Sequence, residues 1–226
     1  MGGRAAEMGY VEQAKRFAQH NLDNWRSTGT TRVLVLDPHD YISFTEDYPR
    51  YFGADFDIEV VLVVELLAQL LRQGKLKPHK EIHRTITYQD PCRLNKRKGI
   101  WQEPREILRA IPGLTFNDVD RVTQWSYCSG GGGGLPVEKP ELTAAISASR
   151  LAKAKDMGVD TLVSACPWSE RPLAEAGEAA AIDVVDIHEL LAESLGVEVG
   201  GSRGAAGDRR SSGSGCGGQC GCGGAS

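Results

Sequence analysis

Cys128 sits in Ser126-Tyr127-Cys128-Ser129 and opens directly into five glycines, Gly130 to Gly134. Glycine tolerates positive φ and lacks the Cβ that keeps a backbone at a distance, so such a run can wrap closely around something bulky. Two further cysteines flank it at long and nearly equal range: Cys92 in Asp90-Pro91-Cys92, and Cys166 in Cys166-Pro167-Trp168-Ser169. Thiolates are soft ligands that suit iron–sulfur clusters and zinc. A lone cysteine after a strand is ordinarily a small buried apolar residue. Three of them in equivalent places point instead to a shared metal site, with the N–H groups of Gly130, Gly131 and Gly132 as its backbone cradle.

Elements that would position these residues can be read from periodicity. Residues 9–28 carry an apolar stripe at three- and four-residue spacing and predict a helix that ends at Gly29. Val33 to Leu36 and Ile58 to Val63 are short apolar runs that predict strands buried on both faces. A helix plausible from Asp37-Pro38 onward follows the first, and Glu65 to Gln73 predicts a helix after the second. Thr85 to Tyr88 predicts a strand running into Asp90-Pro91-Cys92. A helix follows from Glu103-Pro104 to Ala110, with proline at an early position where its missing N–H costs nothing. Val122 to Tyr127 predicts a strand feeding the glycine run. Pro140 to Met157 predicts a helix, Thr161 to Ser164 a strand with Cys166 at its carboxyl end, Asp183 to Ile187 a strand and His188 to Leu195 a helix. Strands alternating with helices predict an α/β protein with mostly parallel sheets, whose sites form outside the carboxyl ends of the strands.

The chain also repeats itself. Val33 to Asp40 aligns with Leu162 to Ser169, and Ile58 to Leu67 with Ile182 to Leu191. Duplication predicts two similar α/β units. Residues 1–80 read as a partial first unit without cysteines, residues 81–199 as a complete second unit, and residues 200–226 as a disordered Gly/Ser/Cys tail. Gly2-Gly3 falls where the glycine run stands in the second copy, so the first unit would lack its front strands and leave an open sheet edge. A partner chain or a second copy is the expected cover. The tail carries Cys216, Cys220 and Cys222 at a spacing that matches no standard zinc or ferredoxin pattern. Metal handling and an incidental low-complexity end both remain open for it.

Net charge is −4 over 226 residues, with no dense basic surface for nucleic acid. The basic run Arg93 to Lys98 reads as a solvated loop. No apolar run reaches the ~20 residues that span a bilayer, and no signal-peptide core opens the sequence. The expected compartment is a reducing cytoplasm, with the membrane surface reachable through a partner. There, spaced cysteines indicate metal or redox chemistry rather than structural disulfides.

The motifs together resemble the cysteine-rich (CCG) domain of heterodisulfide reductases, glycolate oxidase iron–sulfur subunits and lactate-utilisation proteins. Asp90-Pro91-Cys92 matches that family's first element, Cys128-Ser129-Gly130 its cysteine pair running into glycines, and Cys166 to Ser169 its CxxC. The resemblance spans residues 10–195. It implies iron–sulfur or zinc binding and electron transfer to or from a thiol/disulfide or organic-acid couple. It also implies partner subunits of ferredoxin-like, flavoprotein or membrane-cytochrome type.

Three departures matter. Ser129 replaces the second cysteine of the pair, Ser169 replaces the last cysteine of CxxC, and Asp37 and Asp40 stand where the first copy would have its own CxxC. Three thiolates suffice for a [4Fe–4S] cluster with one open iron, for a [3Fe–4S] cluster, or for zinc with a fourth ligand, and Ser129 and Ser169 are possible oxygen ligands. The expectation is an iron–sulfur electron-transfer subunit of a heterodisulfide-reductase-like oxidoreductase. The alternative is a degenerate structural or assembly subunit without a redox centre.

Overall fold

The computed structural model describes residues 2–120 and 125–198. The first part of the chain runs α1 (Gly3–Glu7), α2 (Val11–Ser27), β1 (Arg32–Val35), α3 (Pro38–Ile42), a π-helical turn, α4 (Tyr48–Phe52), β2 (Glu59–Leu62) and α5 (Val63–Arg72). The second runs β3 (Thr85–Gln89), α6 (Cys92–Lys98), α7 (Gln102–Ala110), β4 (Thr115–Phe116), α8 (Leu135–Glu138), α9 (Pro140–Asp156), β5 (Thr161–Ser164), α10 (Pro167–Ala180), β6 (Asp183–Asp186) and α11 (Ile187–Ser194). Every strand pairing is parallel, in a two-stranded sheet β1-β2 and a four-stranded sheet β4-β3-β5-β6. The fold is therefore α/β.

The duplication is visible in the geometry. Helices α2 and α9 each have 17 residues. Each is followed by a left-handed glycine, Gly29 or Gly158, that turns the chain into its strand. Arg32 pairs with Glu59 and Val35 with Leu62, as Thr161 pairs with Asp183 and Ser164 with Asp186. Proline then opens the next helix in both, Pro38 in α3 and Pro167 in α10. The two units nevertheless share one core. Leu62, Val64 and Ala68 of the first pack with Ile86, Tyr88, Ile107, Leu108 and Val163 of the second.

Several expectations need correction. The strand at Val33 to Leu36 is not buried on both faces: Leu34 is 58% exposed and Leu36 50%. Among the described residues only β2 pairs with β1, and helices cover only the face that carries Val35. The basic run Arg93 to Lys98 is not a loop but lies within α6. That helix ends at left-handed Gly99 with Lys96, Arg97 and Lys98 in its last turn, where positive charge suits the helix dipole. Arg97 and Lys98 reach across to Glu46 at 2.5 and 2.9 Å, tying the second unit to the first. The strand expected over 122–127 falls partly outside the described residues, and residues 125–127 are not strand. The tail cysteines also lie outside the described residues.

Candidate metal centre

Cys92 is the first residue of α6, and Pro91 before it caps the helix by accepting the N–H groups of Leu94 and Asn95. The turn is locked from below. Arg105 of α7 grips Asp90 with two bonds of 2.8 Å, and its other donors reach Asp118 at 2.7 and 3.0 Å and the Trp101 carbonyl at 2.8 Å. Arg105 and Asp90 are both fully buried. Burial works against the guanidinium charge, but the carboxylates of Asp90 and Asp118 outweigh it and hold its pKa above the ordinary value. The sequence marks Pro104-Arg105 only as a helix start. Nothing in the local pattern shows that Arg105 anchors the first cysteine's turn.

Cys128 lies on a loop nailed down residue by residue. Asn95 of α6 donates to Ser126 Oγ at 2.6 Å, and Gln89 at the end of β3 donates to the Tyr127 carbonyl at 2.8 Å. Gln89 is itself held by Arg150 of α9 at 3.0 Å. Ser147 and Thr143, also of α9, donate to the carbonyls of Ser129 and Gly130 at 2.9 and 3.1 Å. A loop fixed this way needs no regular structure, because its backbone groups find side-chain partners. Cys128 is exposed, and the Gly130 N–H donates to its sulfur at 3.3 Å.

Cys166 caps α10 at the carboxyl end of β5 and is 2% exposed. Neighbouring polar groups of Ser169 and Trp168 favour its thiolate. Burial nevertheless pushes the thiol up to about 12, and the nearby Asp37 carboxylate adds to the shift. The two serines that replace cysteines are bonded to each other: Ser129 Oγ donates to Ser169 Oγ at 2.8 Å, and the Gly131 N–H donates to Ser129 Oγ at 3.4 Å. Hydrogen bonds thus link the Gly131 backbone to both serines.

Of the three cradle glycines, only Gly130 donates to a cysteine sulfur. Gly131 is required for close approach. A Cβ there would lie 1.8 Å from the Trp168 carbonyl oxygen, the group that Pro172, having no N–H, cannot bond within α10. Gly132 backs onto the His39 ring. His39 belongs to the first unit and is held by Glu7, which also binds Arg93 beside Cys92. Asp37, in the place that Cys166 holds in the second unit, accepts from the Trp168 indole at 2.8 Å. The aspartate that replaced a thiolate therefore joins the two units.

Cys128 lies close enough to Cys92 to act on it: burial first, then Cys128, pushes the Cys92 thiol up. Cys166 answers mainly to burial and then to Asp37. Among the described residues, no three His, Cys, Asp or Glu side chains are gathered as a metal ion would need them. The donor set itself fits a three-thiolate group. Cys92 and Cys166 lie just beyond the ends of the adjacent strands β3 and β5, and Cys128 lies on the glycine loop with an N–H on its sulfur. The set does not fit a five-thiolate cluster, because the Ser129–Ser169 pair fills the remaining two places.

A family description of the cysteine-rich domain (CCG) matches residues 86–168, which contain all three cysteines. That stretch belongs to the cysteine-rich domain family. Over 198 residues the chain is 35% identical to a component of the dihydromethanophenazine:CoB–CoM heterodisulfide reductase of Methanosarcina acetivorans, covering 87% of this chain and 48% of that protein. It is 32% identical to the probable iron-sulfur-binding oxidoreductase FadF of Bacillus subtilis, over 80% of this chain and 26% of that one. An EtfAB:quinone oxidoreductase of Syntrophomonas wolfei is 27% identical over 86% of this chain and 28% of its own. The chain thus spans about half the length, or less, of the curated relatives it matches. Around the cysteine-rich domain, no described helix is long and apolar enough to cross a membrane.

Proposed function

We propose that this chain is an iron–sulfur electron-transfer subunit of a heterodisulfide-reductase-like oxidoreductase complex. Cys92, Cys128 and Cys166 hold a [4Fe–4S] or [3Fe–4S] cluster, with zinc as the second choice of metal and Ser129 or Ser169 as the nearest oxygen donors. The carrying observation is the cysteine loop itself. Four of its residues are fixed by side chains from β3, α6 and α9, and it presents Cys128 with an N–H already on its sulfur. A bound cluster supplies one-electron transfer, at a potential set partly by hydrogen bonds to its sulfurs. The protein's own part is to hold the thiolates, to donate from Gly130, and to keep water from Cys166. Ferredoxin-like, flavoprotein or membrane-cytochrome subunits are the partners this role requires, and the cytoplasm is its setting. Residues 1–80 and 81–199 act as the partial and complete units, with 200–226 as a tail.

Iron, zinc and acid-labile sulfide analysis of the anaerobically purified protein, with its visible spectrum, tests this reading. Iron and sulfide in comparable amounts with broad visible absorption are expected. A colourless protein without iron after reconstitution would overturn it.

A second reading is favoured by the Ser129–Ser169 bond and the sealed Cys166: a structural subunit that keeps the fold without a redox centre. A protein that takes up no metal yet binds tightly to an oxidoreductase component would establish that role.

A further inference from the structure

We infer that Arg150 is the positive pole of the candidate metal centre: its buried guanidinium makes the cavity beside Cys128 electropositive and favours the more negative, reduced state of the group that Cys128 holds. The inference rests on the reading of the three cysteines as ligands, and names a residue that tunes them.

Among the described residues two arginines are buried, Arg105 at 2% exposure and Arg150 at 8%. Their surroundings differ in charge. Arg105 meets carboxylates, with two bonds to Asp90 and two to Asp118. Arg150 meets neutral groups. Its Nε donates to Gln89 Oε1 at 3.0 Å, and its guanidinium lies 4.6 Å from the centre of the Tyr127 ring. The Asp120 carboxylate acts on it only from a distance and is itself paired with Lys153 at 3.7 Å. The contrast shows in the two guanidinium groups: carboxylates hold that of Arg105 above its ordinary pKa, whereas burial pulls that of Arg150 below. A guanidinium stays protonated in either setting. A full positive charge is therefore kept away from water with no bonded anion to offset it, an arrangement that a negative charge arriving nearby relieves.

Cys128 is where that negative charge would arrive. Tyr127, under the guanidinium, is the residue before it in the chain, and Arg150, Tyr127 and Cys128 line one cavity of about 590 Å³. The other cations around the centre are answered or solvated. Arg93 beside Cys92 is bound by Glu7, Arg97 and Lys98 by Glu46, Lys153 by Asp120, and Lys96 is exposed. Attraction between opposite charges strengthens as water is excluded. Reduction adds one negative charge to a cluster, and the charge around a cluster helps to set its potential. An unanswered buried cation on the Cys128 side thus raises that potential.

The field is measured first without any metal. Cys128 of the metal-free protein is alkylated at one pH with anionic iodoacetate and with neutral iodoacetamide, and the labelled peptide is quantified by mass spectrometry. The ratio of the two rates cancels the fraction of thiolate and reports the potential at the sulfur. In the folded parent this ratio should exceed that of the same cysteine in the urea-unfolded protein by about threefold or more, and should persist at high salt, which screens exposed charges but not buried ones. Arg150→Gln should remove the excess, Arg150→Lys should keep it, and Lys153→Gln, at an exposed and paired site, should change it less than Arg150→Gln. In the cluster-loaded protein, Arg150→Gln should lower the oxidised cluster's tendency to be reduced about tenfold at a fixed potential, a midpoint about 59 mV more negative for one electron. Arg150→Lys should return it toward the parent. A folded parent without the excess overturns the inference, and this measurement needs no variant to fold. So does a loss in Arg150→Lys as large as in Arg150→Gln, which would leave Arg150 as a support for Gln89 alone, or an unmoved midpoint in loaded Arg150→Gln. A cluster-loaded protein in which both readouts ignore Arg150 refutes this inference and leaves electron transfer standing. A protein that takes up no iron yet shows the Arg150-dependent ratio refutes the electron-transfer reading and leaves the field at Cys128 established.

Discussion

Strands β1 and β5 occupy equivalent places in the two units, yet Leu34 of the first faces solvent while Val163 of the second is sealed. Around that contrast the rest of the molecule divides. The second unit has a strand on each side of β5, a cysteine at each key turn, and every residue of β5 buried. The first has one neighbour strand, aspartates at the matching turn, and a face left open. The same local fold thus serves two purposes. One copy is completed around a candidate metal centre. The other holds that centre from outside, through Asp37 on Trp168 and His39 against Gly132.

The largest expected effect breaks the comparison at the thiolates. Cys128→Ala should lose the cluster entirely, read as iron and sulfide content, while denaturant unfolding of the metal-free protein stays near that of the parent. Full metal content in Cys128→Ala would remove Cys128 from the site. Next in size is the anchor of the Cys92 turn. Arg105→Ala leaves Asp90 buried without its partner, a change that typically costs about 3–5 kcal/mol. A midpoint in urea within error of the parent would show that the pair is dispensable.

Paired substitutions in the equivalent strands sharpen the contrast further. Val163→Ala should destabilise by about 2–3 kcal/mol, from lost burial plus a cavity. Leu34→Ala should stay within about 0.5 kcal/mol, as exposed sites do. Equal losses would mean that the Leu34 face is covered within the isolated chain.

A further effect is electrostatic and belongs to the first unit alone. Burial, and then the nearby Asp37 charge, raise the Asp40 carboxyl from 3.8 to about 6. Folding therefore takes up a proton there, so this group's contribution favours folding at low pH and is lost as pH rises from 3.8 through about 6. Asp40→Asn should flatten stability across that window and raise it at neutral pH. Its counterpart Ser169 carries no charge, and Ser169→Ala should leave the pH dependence unaltered. Identical pH profiles for the parent and Asp40→Asn would refute the assignment.

Much of this is legible in the residues. The span of β5 reads directly from the sequence, and the helix α9 to within a residue, because apolar patterning and a glycine stop agree there. The β-branched run before Asp90-Pro91-Cys92 places that turn at the end of a strand. The helical α6 escapes such a reading because its seven residues look like a charged loop: their charge is arranged for a helix end and for Glu46, a partner far away in sequence. The strand β4 and helix α10 are hidden for related reasons, one being two residues long and the other holding Pro172 inside.

The sequence by itself determined the duplicated α/β pattern, the three cysteines and the loss of the other thiolates. These are properties of spacing and residue type, and they survive without knowing where the chain goes. Only the tertiary structure decided that Arg105 locks the Cys92 turn, that Gln89, Asn95 and Arg150 hold the cysteine loop, and that Ser129 bonds Ser169. It also decided that β1 keeps an open edge while β5 does not. Each of these depends on partners brought together from distant parts of the chain. A buried hydrogen bond or an uncovered strand is a relation between elements, and local periodicity records only one side of it.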